Sequence, residues 1–136
     1  MGREALVDML AAYKKIKAHH ITIVFDGTGS PLLSRQSNRH KGITVVFSHG
    51  GESADTVIKQ MARREGEKAL VVTSDLDIVR SAEAWGAATI SSQDFENKLD
   101  LSFYAAGAEL DRDAQKHLFQ WLAAFVIISV ELAIVE

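Results

Sequence analysis

Four carboxylates of this sequence stand where apolar runs end. Asp26 follows "ITIVF" and Asp75 follows "ALVVTS", whereas Glu52 and Asp55 open an amphipathic segment behind "ITVVFS". Crowded carboxylates repel each other, and some take up protons unless a cation compensates their charge. Mg²⁺ and Mn²⁺ suit this role, because hard cations prefer carboxylate and water oxygens. Such a metal can activate water and hold the oxygens of a phosphodiester, so the chemistry indicated is metal-assisted phosphodiester hydrolysis.

Each of these acids also has a purely structural explanation. Asp26 and Gly27 form a common turn pair. Asp75 can cap the next helix, and acids such as Glu52 and Asp55 favour the dipole at a helix start. For any single acid the structural explanation is the better one. For the whole set on one edge of the sheet, a metal site and a purely structural role are equally favoured.

The elements that would position these acids alternate along the chain. Short β-branched apolar runs predict buried strands, and three-and-four spacing of apolar residues predicts helices. The predicted order is helix 3–17, strand 21–27, exposed loop 27–42, strand 43–48, helix 52–65, strand 69–75, helix 76–85, strand 87–91 and helix 92–99. This alternation predicts a largely parallel sheet, whose ligand site lies beyond the carboxyl ends of its strands.

Composition excludes several other kinds of site. The 136 residues include no cysteine, which rules out disulfides, thiolate metal sites and cysteine nucleophiles. The formal net charge of -3 argues against nucleic-acid binding by bulk charge, so RNA contacts must come from local basic patches. The best placed patch lies in the loop behind Asp26, and its predicted RNA-binding residues are Arg35, Asn38, Arg39 and Lys41.

The order and the amino-acid sequences of five segments resemble the YacP-like branch of the NYN family, within the PIN-like nuclease superfamily. The segments are "ITIVFDG", "ITVVFS", "ESADTVI", "VVTSDLDIV" and "GAATISSQDF". The resemblance implies a PIN-like three-layer α/β/α fold with a mostly parallel sheet, in a domain over residues 1–99. It also implies a cytoplasmic, metal-dependent endoribonuclease or RNA-processing domain, with RNA and, as for some relatives, the ribosome as partners. No DNA specificity is implied.

Matched motif by motif, the resemblance also assigns roles to the strand-end acids. Asp26, Asp55 of "SAD" and Asp75 of "TSD" match the family's acids and are implied as catalytic residues and as ligands of Mg²⁺ or Mn²⁺. Glu52 matches the acid that commonly precedes "SAD", which implies a supporting role at the metal.

One departure from the family pattern concerns the first strand. Family members open with a strand carrying an Asp-Gly-Tyr-Asn motif, which supplies a metal-site aspartate and runs through the middle of the sheet. This chain starts at the helix after it, so we expect a sheet missing its first central strand and an incomplete metal site. The alternatives to an active nuclease are a catalytically inactive RNA- or ribosome-binding module and a truncated gene product.

The second departure is the tail, predicted as a divergent and mainly helical segment over residues 100–136. Its stretch 118–135, "LFQWLAAFVIISVELAIV", is almost wholly apolar. It is open to interpretation as a buried terminal helix or strand, as the product of a shifted frame or gene fragment, or as a membrane anchor. The part "FVIISV" (125–130) could fill the slot left in the sheet. A helix covering the gap is favoured, because 118–124 contains good helix formers.

Overall fold

The computed structural model describes residues 2–27, 35–107 and 126–129. Apart from 36–40 and 126–129, the helices and strands lie where the sequence predicts them, with shorter strands. The helices are α1 (Gly2–Ile16), α2 (Ala54–Glu65), α3 (Leu76–Ala84) and α4 (Ser92–Ala105), with a short 3-10 turn at Gly66–Lys68. The strands are β1 (Ile21–Phe25), β2 (Gln36–His40), β3 (Ile43–Phe47), β4 (Leu70–Val72), β5 (Ala88–Ile90) and β6 (Val126–Ser129).

These strands form one six-stranded sheet in the order β2-β3-β1-β6-β4-β5. Strands β1 and β3 are parallel, as are β4 and β5, and β6 runs antiparallel to both β1 and β4. Four strands therefore share one direction, and only β2 and β6 oppose them. The mixed α/β sheet with four co-directional strands confirms the predicted fold class.

The sheet separates two apolar cores, one on each of its faces. The helices that pack in these cores form the two outer layers of the fold. Successive side chains of a strand point to opposite faces, so Ile23 and Phe25 of β1 pack with α1 and α4. Val24, between them, packs with α2 and α3 on the other face. Asp26 follows Phe25 directly, and the same alternation turns it toward the α2 side.

Strand β2 corrects the prediction of an exposed loop over 27–42. Its five polar residues, "QSNRH", are all exposed and show no apolar alternation. They form a strand because they pair antiparallel with β3, with His40 opposite Ile43. Lys41 and Gly42 connect the two strands, and both have positive φ, 53° and 84°. Two such residues make the turn that matches strand twist, and here Lys-Gly replaces the usual Asn-Gly.

Strand β6 occupies the slot predicted in the middle of the sheet. It pairs with β1 on one side and β4 on the other, so a strand, not the favoured helix, is formed at 126–129. Residues 108–125 and 130–136 lie outside the described part, and so does most of the segment considered as a membrane anchor. Within the described ranges, no helix combines the length and apolar character needed to cross a bilayer. Helix α4 runs across the predicted boundary at residue 99.

Candidate functional site

The carboxyl ends of β1 and β4 place two of the predicted acids on one edge of the sheet. Asp26 comes directly after β1, and Asp75 follows β4 at the start of α3. Asp55 reaches the same edge from the first turn of α2, the helix that follows β3. All three are exposed. We call Asp26, Asp55 and Asp75 the acidic rim.

Asp55 owes its position to the way α2 begins. Ser53 is the N-cap, and its Oγ accepts a hydrogen bond of 3.2 Å from the Thr56 backbone N–H. A serine cap satisfies one of the open N–H groups of the first turn. One side of the helix is then buried through five apolar residues, Ala54, Val57, Ile58, Met61 and Ala62. Asp55 is left on the exposed side, where the helix dipole favours a carboxylate.

Asp75 has a structural role as well as its place in the rim. Its Oδ1 accepts a hydrogen bond of 2.9 Å from the Asp77 backbone N–H, which caps α3. Its own backbone N–H donates to Thr73 Oγ1 at 3.0 Å. The capping explanation considered for Asp75 is therefore correct, and the two hydrogen bonds hold the residue at the end of β4.

Asp26 is held by a residue that sequence reasoning missed, the buried Ser48. The Ser48 hydroxyl donates toward Asp26 Oδ1 at 3.4 Å and accepts a 2.7 Å hydrogen bond from the Gly27 backbone N–H. Ser48 also donates its own N–H to the Phe25 carbonyl at 3.1 Å. The only sequence signal for this role is a serine that ends the apolar run "ITVVFS".

The charges of the rim act on one another through Asp55. Its pKa is raised first by burial and next by the charge of Asp75, with further increases from Asp26 and Asp77. Lys59 works in the opposite direction. A carboxylate whose pKa rises beside other carboxylates is under the repulsion predicted from the sequence, so the structure brings Asp55 within the field of both other rim acids.

Lys59 is a second residue that sequence reasoning missed. Its ammonium group forms an ion pair with Asp77, linking α2 to α3 beside the rim. The hydrogen bond from Lys59 lowers the pKa of Asp77, and the same bond raises the pKa of Lys59. The available signal was its spacing of four residues from Asp55 on one helix face.

Glu52 lies against a cation. Arg35 Nε donates to both Glu52 oxygens at 3.1 and 3.0 Å, and Arg35 Nη2 donates to Oε1 at 2.5 Å. The His49 backbone N–H adds a bond of 3.2 Å to Oε2. These contacts, the Arg35 hydrogen bond first, lower the pKa of Glu52 to about 2. Glu52 therefore ties the start of β2 to α2, and its supporting role at a metal stays a prediction.

The predicted RNA-binding residues are spread along β2 and not gathered in one loop. Arg35 lies at the rim end, because the next residue, Gln36, is paired with the last residue of β3. Asn38 and Arg39 lie within the strand. Lys41 lies in the turn at the far end of β3 and donates to Asp8 Oδ1 at 2.6 Å. Arg35 and Lys41 thus lie at opposite ends of the hairpin, each in an ion pair.

The rim has the donor chemistry of a Mg²⁺ or Mn²⁺ site, but the described residues do not provide a full set of ligands. Among residues 2–27, 35–107 and 126–129, no three His, Cys, Asp or Glu side chains are grouped so that they could hold a metal. The topology explains this, because β6 lies between β1 and β4. The ends that carry Asp26 and Asp75 are therefore two strand spacings apart, about 10 Å. No carboxylate occurs in β6, whose sequence is "VIIS".

Comparison with known proteins identifies the family. The family model described as the YacP-like NYN domain matches residues 1–124. Neither the curated proteins nor the solved structures gave a match. The match spans most of the chain and includes every acid of the rim. The chain therefore belongs to the YacP-like NYN domain family, a family of PIN-like, nuclease-type RNA-processing domains.

Proposed function

We propose that this chain is an endoribonuclease that cleaves RNA phosphodiesters at the acidic rim with the help of Mg²⁺ or Mn²⁺. The observation that carries the proposal is the placement of Asp26, Asp55 and Asp75 on one accessible edge of the sheet. Burial, and then the charges of Asp75 and Asp26, raise the pKa of Asp55 there. A carboxyl group whose pKa is raised by burial and by neighbouring charges is typical of functional sites. The family supplies RNA as the class of substrate.

The metal is proposed to be shared between the protein and the RNA. Mg²⁺ commonly takes one or two carboxylates and completes its coordination with water and substrate phosphates. This suits a rim whose described residues do not form a group of three ligands. Asp55 and Asp75 are proposed as the protein ligands, with Asp26 on the other side of β6. When bound, the cation supplies a polarised phosphate oxygen and an activated water.

The residues around the rim hold its carboxylates in place before the substrate binds. Ser48 restrains Asp26, the α3 cap restrains Asp75, and Lys59 neutralises Asp77 so that less negative charge opposes an incoming phosphate. Groups fixed before the substrate arrives need no rearrangement during the reaction. The proposal also assigns the chain to the cytoplasm and includes RNA on the ribosome among the substrates to be tested.

The alternative is an RNA- or ribosome-binding module without catalysis. The observation that favours it is the missing third ligand among the described residues, because fewer protein ligands hold a cation more weakly. The two functions differ in one respect that can be measured, the metal dependence of RNA cleavage.

Cleavage of a labelled single-stranded RNA tests the proposal, with Mn²⁺ or Mg²⁺ titrated into the wild-type protein and its variants. We expect metal-dependent cleavage that falls at least about 100-fold in Asp55→Asn and Asp75→Asn, a range typical for removal of a catalytic group. Asparagine caps a helix as well as aspartate does, so Asp75→Asn leaves the start of α3 intact and removes only the charge.

Glu67→Gln serves as the control, since Glu67 is an exposed acid on the 3-10 turn that precedes β4, at the edge of the sheet opposite the rim. All proteins are purified in parallel, so that a contaminating nuclease would appear equally in every preparation. Cleavage that is the same in Asp55→Asn and the wild type, or that survives EDTA, rejects the endoribonuclease. RNA binding without any cleavage supports the alternative module.

A further inference from the structure

A cavity of about 460 Å³ lies on the α1 face of the sheet, beside the acidic rim. Its lining comes from α1 and from the strands β1, β2 and β3: Glu4, Val7, Phe25, Asn38, Arg39, His40, Val45 and Phe47. The volume is within the range of roughly 300–1,000 Å³ typical of small-ligand sites. Nothing in the proposed cleavage mechanism uses this cavity.

The cavity has an apolar floor and a polar wall. Phe25 and Phe47 form the floor with their rings 5.4 Å apart and tilted by 30°. Phe25 is buried in the core, whereas Phe47 is partly exposed. Asn38, Arg39 and His40 form the wall, and all three are exposed residues of the edge strand β2.

This combination favours a nucleotide over simpler ligands. A base has apolar faces for an aromatic floor and a polar edge for an amide such as Asn38, and bases of single-stranded RNA are commonly bound against aromatic side chains. Asn38 and His40 lie opposite Val45 and Ile43, on the α1 face of the sheet, and the His40 imidazole suits a phosphate. Arg39 alternates to the other face, and its guanidinium donates to the Gly42 carbonyl at 3.3 Å. A purely apolar ligand would not bind the polar side chains of the wall, and inorganic phosphate would not cover the aromatic rings of the floor.

The position of the cavity connects it with the rim. Phe25 and Phe47 are the last residues of β1 and β3, so the floor ends where Asp26 and Ser48 begin. Phe25 faces α1, whereas the Asp55 side of the rim lies above α2 on the other face. A single RNA strand crossing this edge would place a base in the cavity and its backbone beside the acids.

We infer that this cavity binds one nucleotide of the RNA strand, with the base on the Phe47 side beside Asn38 and the phosphate at His40. The inference rests on the proposed function for RNA as the source of the nucleotide. It assigns to β2 a direct part in substrate binding, through residues that lie outside the acidic rim.

Binding measured in EDTA, where metal-dependent cleavage is absent, tests the inference. The probes are the four nucleoside 5′-monophosphates, ribose 5-phosphate, inorganic phosphate and a short single-stranded oligoribonucleotide. For the Asn38→Ala/His40→Ala double variant we expect at least about 10-fold weaker binding of mononucleotide and oligonucleotide, the effect of losing one or two hydrogen bonds to the ligand. Wild-type protein should bind ribose 5-phosphate and phosphate at least about 10-fold more weakly than the nucleotides.

The matched control is Ser37→Ala/Lys15→Ala, which removes one polar group and one exposed cation outside the cavity. Unchanged nucleotide binding in Asn38→Ala/His40→Ala, with a native amide NMR spectrum, overturns the inference, and so does equal binding of nucleotide and ribose 5-phosphate. A loss confined to mononucleotides overturns the assignment to RNA. Wild-type protein that binds as expected but never cleaves RNA with Mn²⁺ supports the cavity and rejects the proposed nuclease.

Discussion

The individual acids of this chain combine local structural roles with a collective electrostatic one. Asp75 caps α3 through Oδ1 and also raises the pKa of Asp55. The structural and chemical explanations considered for it are therefore compatible. Glu52 differs, because its carboxylate is bound by Arg35 and its pKa is lowered, whereas that of Asp55 is raised. Acids three residues apart in the chain thus have opposite environments.

The lowered pKa of Glu52 predicts a distinct pH dependence of stability. A carboxyl group with a depressed folded-state pKa stabilises the fold above its unfolded pKa, here 4.5, and loses that contribution as the pH falls through about 2. We expect Glu52→Gln to lower the urea midpoint at pH 7, where the Arg35 pair is intact in the wild type. We also expect a smaller loss of stability between pH 4.5 and pH 2 than in the wild type.

Urea denaturation followed by circular dichroism at several pH values checks this expectation. Glu67→Gln is the control, because Glu67 is an exposed carboxylate on the 3-10 turn. Parallel pH profiles for the wild type and Glu52→Gln would show that the Arg35 pair does not contribute to stability.

The elements at the rim depend on a close approach of two strand ends. A Cβ at Gly27 would lie 2.0 Å from the Ser48 carbonyl oxygen, a distance that real side chains do not adopt. We expect Gly27→Ala to push the ends of β1 and β3 apart. This should break the hydrogen bond from the Gly27 N–H to Ser48 Oγ and displace Asp26. The predicted cost is about 1–3 kcal/mol of stability, together with at least about 10-fold weaker cleavage.

Gly86→Ala separates the two effects of that substitution. Gly86 has φ of +88° and precedes β5, at the edge of the sheet opposite the rim. An alanine with positive φ costs about 1–2 kcal/mol, so Gly86→Ala loses similar stability without moving Asp26. Thermal denaturation and RNA cleavage are measured on both variants, and equal activity losses would mean that Gly27 acts through stability alone.

Strand β6 joins the two halves of the sheet. It pairs with β1, which belongs to the β2-β3-β1 half, and with β4, which belongs to the β4-β5 half. Without it, both inner edges would present unpaired N–H and C=O groups. A short segment near the end of the chain therefore completes the centre of the fold.

Ile128→Pro tests this dependence by removing a backbone donor from β6. Ile128 is paired with Thr22 of β1 and Val71 of β4, and proline cannot donate to the ladder of a central strand. We expect a loss of at least about 1–3 kcal/mol, the cost of one unpaired buried group, measured by urea denaturation. The control is Leu76→Pro, since Leu76 is the exposed first residue of α3, where proline is well accepted. A native-like midpoint for Ile128→Pro would contradict a central role for β6.

The local elements, and the sheet edge on which the acids stand, follow from the amino-acid sequence alone. Apolar runs such as 21–25 and 43–47, and helices with one apolar side, can be recognised because burial imposes a period on neighbouring residues. Strands that share a direction must end on one edge, which places Asp26 and Asp75 together. The family resemblance was carried by the same segments, and the family match confirms it.

Three features follow only from the folded chain: the strand β2, the strand β6 and the ion-pair partner of Glu52. The polar residues of β2 have no strand pattern and pair because the edge of β3 offers them hydrogen bonds. Strand β6 is placed by two neighbours far away in the chain, and Glu52 turns to Arg35 because the hairpin brings that cation to it. The physical reason is common to all three, since hydrogen-bond and charge partners distant in the chain leave no period in the local sequence.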